Sequence, residues 1–186
     1  TLSEKGPIPL FGHEFSGKVV ELADNVCKLK IGQRVSLNYA KTACGKCEAC
    51  LRGRYKQCLN VQWLGIDYPG CFAEYCAVPE EILNPVPEDL TVSETVCLQS
   101  LSSVISNIDQ IQIKMGDTVV VLGLGVMGNS AAQVSRVSGA GKVIGSDVRE
   151  ENLVLARELG IDIVVDAKKE NIEDIVKRET KGVGAD

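Results

Sequence analysis

The chain has 186 residues, of which 45% are hydrophobic and 24% charged, a composition typical of a globular protein with one large domain or two small ones. Its net charge of −5 and the lack of a long basic run argue against nucleic acid or an anionic membrane surface as the main partner. No apolar run is long enough to span a bilayer and no signal peptide opens the sequence, so we expect a cytoplasmic location. Because the sequence begins with Thr1 and stops at Asp186, where a further strand is expected, we expect a fragment of a longer protein.

The first candidate functional residues lie in Gly12-His13-Glu14, which introduces a strand-like run from Phe15 to Leu22. His13 is the only histidine of the chain. A lone histidine is more often structural than a ligand, but a neighbouring carboxylate such as Glu14 can orient it or tune a metal. His13 and Glu14 are therefore candidate functional residues, and a purely structural His13 is the alternative.

Cysteines carry the densest signal of the first half. The chain has eight, and the absence of a signal peptide favours a reduced compartment and metal binding over disulfides. Half of them follow the pattern Cys44-x2-Cys47-x2-Cys50-x7-Cys58. Thiolates at this spacing can surround one zinc ion tetrahedrally with bonds of about 2.3 Å, and such a closed site is structural. Nearby cations are expected to favour the thiolate form: Lys46, Arg52, Arg54 and Lys56. An iron–sulfur cluster and unrelated free thiols are the alternatives.

The remaining cysteines show no metal-binding spacing: Cys27, Cys71, Cys76 and Cys97. We expect Cys71 and Cys76 to be core or surface thiols that flank a strand formed by residues 72–75. The aromatic residues Trp63, Tyr68 and Phe72 are interpreted as packing residues rather than as stacking partners of a cofactor.

From Val92 onward the sequence alternates regularly between helical and strand-like segments. The predicted elements are a linking helix Val92–Ile108, strand Thr118–Leu122, helix Met127–Ser138, strand Lys142–Asp147, helix Glu150–Leu159, strand Ile161–Asp166 and helix Asn171–Thr180. This alternation predicts a doubly wound α/β fold with parallel strands.

A G-x-G-x-x-G turn joins the first of these strands to its helix, with Leu124, Val126 and Met127 between the glycines. Gly123 is expected to make the tight turn, Gly125 to let the backbone approach a pyrophosphate, and Gly128 to let the helix pack on the strand. The free N–H groups at the start of the helix favour an anion. Asp147 follows about 20 residues later, where an acid that binds the ribose is expected. The alternative is that Asp147 only caps the helix that begins near Glu150.

The combination of motifs, in this order, resembles the medium-chain dehydrogenase/reductase family, the zinc alcohol dehydrogenases. Gly12-His13-Glu14-x2-Gly17-x5-Ala23-x2-Val26 resembles the zinc signature of that family, and the cysteine run resembles its structural-zinc lobe. Residues 69–75 resemble the segment after the lobe, and the glycine turn with Asp147 resembles the coenzyme domain. In detail the chain looks most like the polyol and threonine dehydrogenase branch.

The resemblance implies a split α/β fold. Residues 1–90 would form a GroES-like β domain, truncated at its N-terminus, with the zinc lobe at 44–58. Residues 91–186 would form a partial Rossmann domain that binds NAD. The active site of the family lies in the cleft between the domains, where a catalytic zinc acts as a Lewis acid on the alcohol oxygen and the alkoxide gives hydride to the nicotinamide.

Carried onto this sequence, the resemblance makes His13 a ligand of the catalytic zinc and Glu14 its neighbour or a direct ligand. One cysteine ligand of the family would lie upstream of His13, before this sequence begins. The remaining ligand position on the linking helix corresponds to Gln99, and a neutral amide is a poor replacement for an anionic ligand. Cys97 is close by and would serve in another helix register. The resemblance therefore implies a zinc-dependent alcohol or polyol dehydrogenase, and Gln99 motivates the alternative of a catalytically silent homologue that binds NAD and only the structural zinc.

Coenzyme choice is expected to follow from charge. Asp147 can accept hydrogen bonds from the ribose hydroxyls of NAD and would repel the extra phosphate of NADP. Arg149 weakens this argument, because an arginine can pair with a phosphate. We therefore predict NAD, a small-molecule alcohol or polyol substrate, no nucleic-acid or membrane partner, and a homo-oligomer for the full-length protein. A zinc-ribbon interaction module fused to a nucleotide-binding domain is a further alternative, against which the acidity of the chain argues.

Overall fold

The computed structural model describes residues 11–37 and 41–186. Packing divides the chain into two compact units, Thr1–Gln99 and Ser100–Asp186. The division falls inside the long helix Val92–Ile111, whereas the sequence placed the boundary just before that helix. The predicted domain ranges, 1–90 and 91–186, remain predictions.

The first unit is built from short strands. Its elements are β1 Ser16–Lys18, β2 Arg34–Leu37, β3 Lys41–Thr42, α1 Glu48–Leu51, β4 Gln62–Trp63, β5 Leu83–Pro85 and the start of α2 Val92–Ile111. Strands β1, β2 and β5 form an antiparallel sheet in that order, and β3 pairs with β4. The core of this unit is formed by the buried residues Leu37, Leu64 and Ile82, with Trp63 and Tyr68 packed against them as expected. Phe72, also expected to pack, is 71% exposed and lies outside this cluster.

Two strand predictions in this unit are corrected. The strand expected from Phe15 to Leu22 is limited to Ser16–Lys18, although Val19 N still donates to Gln33 O at 2.9 Å. Residues 72–74 form bends and Tyr75 is irregular, so the predicted strand is not formed. A strand requires a partner along its length, and the backbone contact found at the start of this segment is that of Phe72 N with Phe11 O, at 2.9 Å.

Helix α2 begins with a capping box. Thr91 N donates to the Glu94 carboxylate at 2.8 Å, and Glu94 N donates to Thr91 Oγ1 at 3.2 Å, so two of the backbone donors at this end are satisfied reciprocally. The helix ends at Ile111, beyond the predicted Ile108, and Gln112 follows with a φ of 56°.

The second unit contains a parallel sheet in the order β6-β7-β8. After α2, its elements are β6 Thr118–Leu122, α3 Val126–Val137, β7 Lys142–Asp147, α4 Glu150–Glu158, β8 Ile163–Asp166 and α5 Ile172–Glu179. Each predicted element is present, and the only strand whose bounds change is β8, which begins at Ile163 rather than Ile161.

Helices cover both faces of this sheet. Val143 packs into a cluster with Ala132 of α3 and Leu153 of α4, whereas its neighbour Ile144 packs with Ile175 of α5. Successive side chains of a strand point to opposite faces, so β7 is buried on both sides. This arrangement confirms the prediction of a doubly wound α/β sheet. Within the described residues, none of the helices combines the length and the apolar character that crossing a bilayer would require.

Candidate metal and coenzyme sites

The four cysteines of the lobe converge. Their Sγ atoms all lie within 4.8 Å of one another, and the Cys47 Sγ is 3.5 Å from that of Cys50 and 3.9 Å from that of Cys58. A tetrahedral zinc ion with bonds of about 2.3 Å separates its sulfur ligands by about 3.8 Å. The observed separations therefore fit a single zinc ion. A cluster with several iron atoms between the thiolates would require larger separations, and unrelated thiols would not converge.

Local structure brings these thiols together. Cys47 is the N-cap of α1 and Cys50 lies in its single turn, so residues three apart face the same side. Backbone N–H groups then point at the sulfurs: Cys44 N lies 3.3 Å and Asn60 N lies 3.4 Å from the Cys58 Sγ. The Asn60 side chain adds a donor 3.7 Å from the Cys44 Sγ. The lobe thus supplies the donors that a thiolate site needs.

The thiol pKa values depend on backbone donors, burial and the neighbouring thiols rather than on the basic side chains. Hydrogen bonds from the N–H groups of Lys46 and Cys47 lower the pKa of Cys44 to about 6. Burial, together with the neighbouring thiols, raises the pKa of Cys50 to about 12. The expectation that nearby cations favour the thiolates is therefore corrected: Arg52, for example, pairs with Glu48 at 2.6 Å.

The segment that carries His13 is positioned by close backbone packing. Gly12 has a φ of 95°, and its carbonyl accepts a hydrogen bond from Cys71 N at 3.0 Å. A Cβ at Gly65 would lie 2.9 Å from Gly12 N, and one at Gly70 would lie 2.6 Å from the carbonyl carbon of Phe11. Glycine at these positions lets the loop approach the His13 segment, a role that sequence reasoning missed because it depends on contacts between distant residues.

The catalytic metal site is not assembled by the described residues. His13 is half-buried and Glu14 is exposed. In the parts of the chain that the structure describes, the lobe cysteines are the only group of three or more Cys, His, Asp or Glu residues whose ligand atoms converge. Gln99 is half-buried and Cys97 exposed on α2. The residues present therefore do not complete a catalytic zinc site, and the assignments of His13, Glu14 and Gln99 remain predictions.

A second thiol pair was not foreseen. The Cys71 and Cys76 Sγ atoms lie 2.9 Å apart, because the bends at 72–74 bring together positions that a strand would separate. The hydrogen bond between the two thiols lowers the pKa of Cys76 to about 7, and the same contact together with burial raises the pKa of Cys71. Cys71 packs against the core of the first unit and Cys76 is exposed, as expected for core or surface thiols, but their contact with each other was not predicted.

The glycine turn has the geometry that its sequence predicts. Gly123 has a φ of 90°, a conformation that favours glycine. A Cβ at Gly128 would overlap with Gly123 O and lie 2.8 Å from Gly123 C, so this position requires glycine for packing. Gly125 is the N-cap of α3, and a Cβ there would meet nothing within 4 Å. The space beside Gly125 is therefore open in front of a helix whose first N–H groups lack intrahelical partners.

A cleft of about 550 Å³ lies at this turn, within the second unit. It is lined by residues of α2, β6 and α3 that include Val104, Ile108, Leu122, Val126 and Met127. Leu124 does not line the cleft, because its side chain is fully buried in the core. Its backbone serves the turn instead, since its carbonyl accepts a hydrogen bond from the Asn129 side chain.

Asp147 ends β7 and is only 9% exposed. Its Oδ2 accepts from Leu124 N at 2.6 Å and from Asn152 Nδ2 at 2.9 Å, and its Oδ1 accepts from Arg149 N at 2.8 Å. Burial raises the pKa of Asp147, but the N–H groups of Arg149 and Leu124 and the Asn152 amide outweigh it and hold the pKa below its usual value. A carboxylate has about four acceptor positions, so these protein donors occupy most of them.

The alternative for Asp147, a cap of α4, is not realised as a capping hydrogen bond, since the side chains make none at this helix start, but Asp147 does contact the N-cap residue. The N-cap of α4 is Arg149, and Asp147 accepts the N–H of that residue. Asp147 therefore ties the glycine turn, through Leu124 N, to the start of α4. Asn152 adds a further hydrogen bond to Asp147, a role that sequence reasoning missed. The one signal in the sequence was its position one helical turn after Arg149.

Two family profiles match the chain: the alcohol dehydrogenase GroES-like domain at residues 2–88 and the zinc-binding dehydrogenase domain at residues 125–186. L-threonine 3-dehydrogenase of Rhizobium johnstonii is 37% identical over 172 residues, which are 92% of this chain and 49% of that protein. The chain thus spans about half the length of the curated relatives it matches.

Solved structures of dehydrogenases are similar to this chain as well. The crystal structure of an NAD-dependent alcohol dehydrogenase superposes with a TM-score of 0.86 and 31% identity, covering 97% of this chain and 53% of the other. A structure from Sinorhizobium meliloti 1021, described as a zinc-binding dehydrogenase bound to NADP, gives 0.84 and 34% over 92% of this chain and 49% of the other. These similarities confirm the predicted combination of a GroES-like β domain with a Rossmann-type α/β domain. The chain belongs to the zinc-type alcohol dehydrogenases of the medium-chain dehydrogenase/reductase family.

Proposed function

We propose that the protein is a zinc-dependent oxidoreductase that transfers a hydride between an alcohol- or polyol-type substrate and NAD. The observation that carries this proposal is the turn at Gly123–Gly128, where the open space beside Gly125 fits a pyrophosphate at the start of α3. The hydride chemistry is that of the nicotinamide when it is bound. The residues of this chain hold and orient the dinucleotide.

In this proposal the backbone of residues 123–128 binds the phosphates, and Asp147 binds the adenosine ribose. Asp147 is suited to this role because its low pKa keeps it ionised at neutral pH, so it acts only as an acceptor. Its three protein donors fix the carboxylate before a ligand arrives, which reduces the ordering cost of binding.

The preference for NAD over NADP is part of the proposal. An ionised Asp147 repels a 2′-phosphate, which supports NAD. The two structural relatives differ in this respect, since one is named NAD-dependent and the other contains NADP. Similarity to these structures therefore does not by itself decide the coenzyme.

The lobe cysteines would hold a zinc ion in a closed site, which would stabilise a loop that has few apolar residues of its own. His13, with Glu14 beside it, is proposed to take part in the catalytic site of the full-length enzyme. We further propose a cytoplasmic homo-oligomer, consistent with the acidic, globular composition.

A catalytically silent homologue is the second candidate. It is favoured by Gln99, an amide at the position where an anionic ligand is expected, and by the fact that His13 belongs to no group of three converging ligands among the described residues. Such a protein would bind NAD and the lobe zinc without turnover.

Zinc content and turnover separate the two candidates. The full-length protein is purified without chelator, its zinc per chain is measured by elemental analysis, and NAD reduction is followed with a panel of alcohols, polyols and threonine. We expect two zinc ions per chain and turnover with at least one substrate class. One zinc per chain, NAD binding by calorimetry and no turnover would replace the dehydrogenase with the silent homologue.

A further inference from the structure

Arg149 lies beside the position where a 2′-phosphate would be recognised. It follows Asp147 by two residues, and its backbone N–H donates to Asp147 Oδ1 at 2.8 Å. The backbone of Arg149 is therefore fixed beside the proposed ribose-binding acid. In dinucleotide-binding folds an arginine near this acid accommodates the 2′-phosphate of NADP. The chain thus carries Asp147, which suits NAD, close to Arg149, which suits NADP.

The guanidinium of Arg149 is already engaged. Its Nε lies 2.7 Å and its terminal nitrogen 2.5 Å from the same oxygen of Glu151. Both side chains are about two-thirds exposed, so the pair is of the surface type and can exchange with a competing anion. Glu151 lies in the first turn of α4, where a negative charge is favoured by the helix dipole.

Glu150, the acidic residue before Glu151, has a different ion-pair partner. Glu150 occupies the same first turn, but its carboxylate pairs with Arg157 at 3.6 Å rather than with Arg149. The two glutamates therefore contribute equal charges to one helix end, and only Glu151 directs the Arg149 side chain. This difference separates a positioning effect from a general effect of charge.

We propose that Glu151 is a positioning residue for coenzyme specificity: by holding the Arg149 guanidinium, it withholds that side chain from a 2′-phosphate and shifts the preference toward NAD. This inference rests on the proposed function, because it assumes that the adenosine ribose binds at Asp147. When Glu151 is neutral, Arg149 becomes available as a bidentate partner for a phosphate.

The test measures binding of the adenosine halves of the two coenzymes by isothermal titration calorimetry at low ionic strength. AMP represents NAD and adenosine 2′,5′-bisphosphate represents NADP. In Glu151→Gln we expect the dissociation constant of the bisphosphate to fall about two- to fivefold, the range of an exposed ion pair, while that of AMP stays unchanged. Glu150→Gln is the matched control, with the same change of charge on the same helical turn, and Arg149→Met in the Glu151→Gln background should remove the gain.

The outcomes separate the inference from the proposed function. Equal gains in Glu151→Gln and Glu150→Gln, or a gain that survives Arg149→Met, would overturn the positioning role. No gain in Glu151→Gln with AMP binding intact would also overturn it, while leaving the proposed function in place. A protein that binds neither nucleotide would overturn the proposed coenzyme site, and the inference with it.

Discussion

The contrast between Gly128 and Gly125 tests whether the turn works as its geometry indicates. In Gly128→Ala the new Cβ would overlap with Gly123 O and lie 2.8 Å from Gly123 C. In Gly125→Ala the new Cβ would meet nothing within 4 Å, and the backbone φ of −68° is open to alanine. The same chemical change is therefore a packing conflict at one position and free of conflict at the other.

The size of the conflict follows from ordinary contact distances. Nonbonded carbon atoms prefer separations of about 3.5 to 4.0 Å, so β6, the turn and α3 would have to separate by about 0.7 Å or more in Gly128→Ala. Overpacking of this kind costs about 1–3 kcal/mol in the free energy of unfolding. In Gly125→Ala the cost is that of a poorer N-cap, about 1 kcal/mol or less.

NAD binding should be affected in the opposite order to stability, with the larger effect in Gly125→Ala. We expect Gly125→Ala to weaken NAD binding about tenfold or more, since its Cβ fills the space proposed for the pyrophosphate. The assay combines thermal unfolding of both variants with calorimetric titration of NAD. A Gly125→Ala protein that binds NAD like the parent would refute the proposed pyrophosphate site at the turn. A Gly128→Ala protein with unchanged unfolding would refute the packing argument.

Three further predictions concern the lobe and the charged residues of the second unit. Cys47→Ser should lower the zinc content by about one ion per chain because a closed site needs all its ligands, whereas Cys27→Ser, an exposed cysteine outside the lobe, should leave elemental zinc unchanged. Asp147→Asn should weaken NAD binding in titrations at neutral pH. In the parent the pKa of Asp147 is lowered in the folded state, so this carboxylate stabilises the fold above its unfolded pKa of about 3.9. That stabilisation is lost as the pH falls below this value, which acid unfolding measures. Asp162 accepts from Val143 N at 2.6 Å and pairs with Arg136, so Asp162→Asn should cost about 1 kcal/mol in urea unfolding, a value discounted for the exposure of the pair, and an unchanged midpoint would contradict this role.

Features that depend on neighbours along the chain were predictable from sequence. The spacing of Cys44, Cys47, Cys50 and Cys58 predicted their convergence, because the single turn of α1 places Cys47 and Cys50 on one side. The alternation of apolar and turn residues after Val92 predicted all elements of the parallel sheet, since β-branched runs and glycine turns have strong local preferences. The glycine turn and Asp147 were found for the same reason.

Tertiary structure decided the features that depend on distant partners. Residues 72–75 have the composition of a strand but form no strand, because strand formation depends on a neighbour that sequence does not identify. The bends at 72–74 bring Cys71 close to Cys76. Likewise, only the fold shows that Asp147 is held by Leu124 N and Asn152. By itself the sequence determined the zinc lobe, the doubly wound pattern and the coenzyme motif, because local spacing and periodicity encode them. The donors that position Asp147 and the loop packing around Gly12 were decided only in three dimensions, where residues far apart in the chain come into contact.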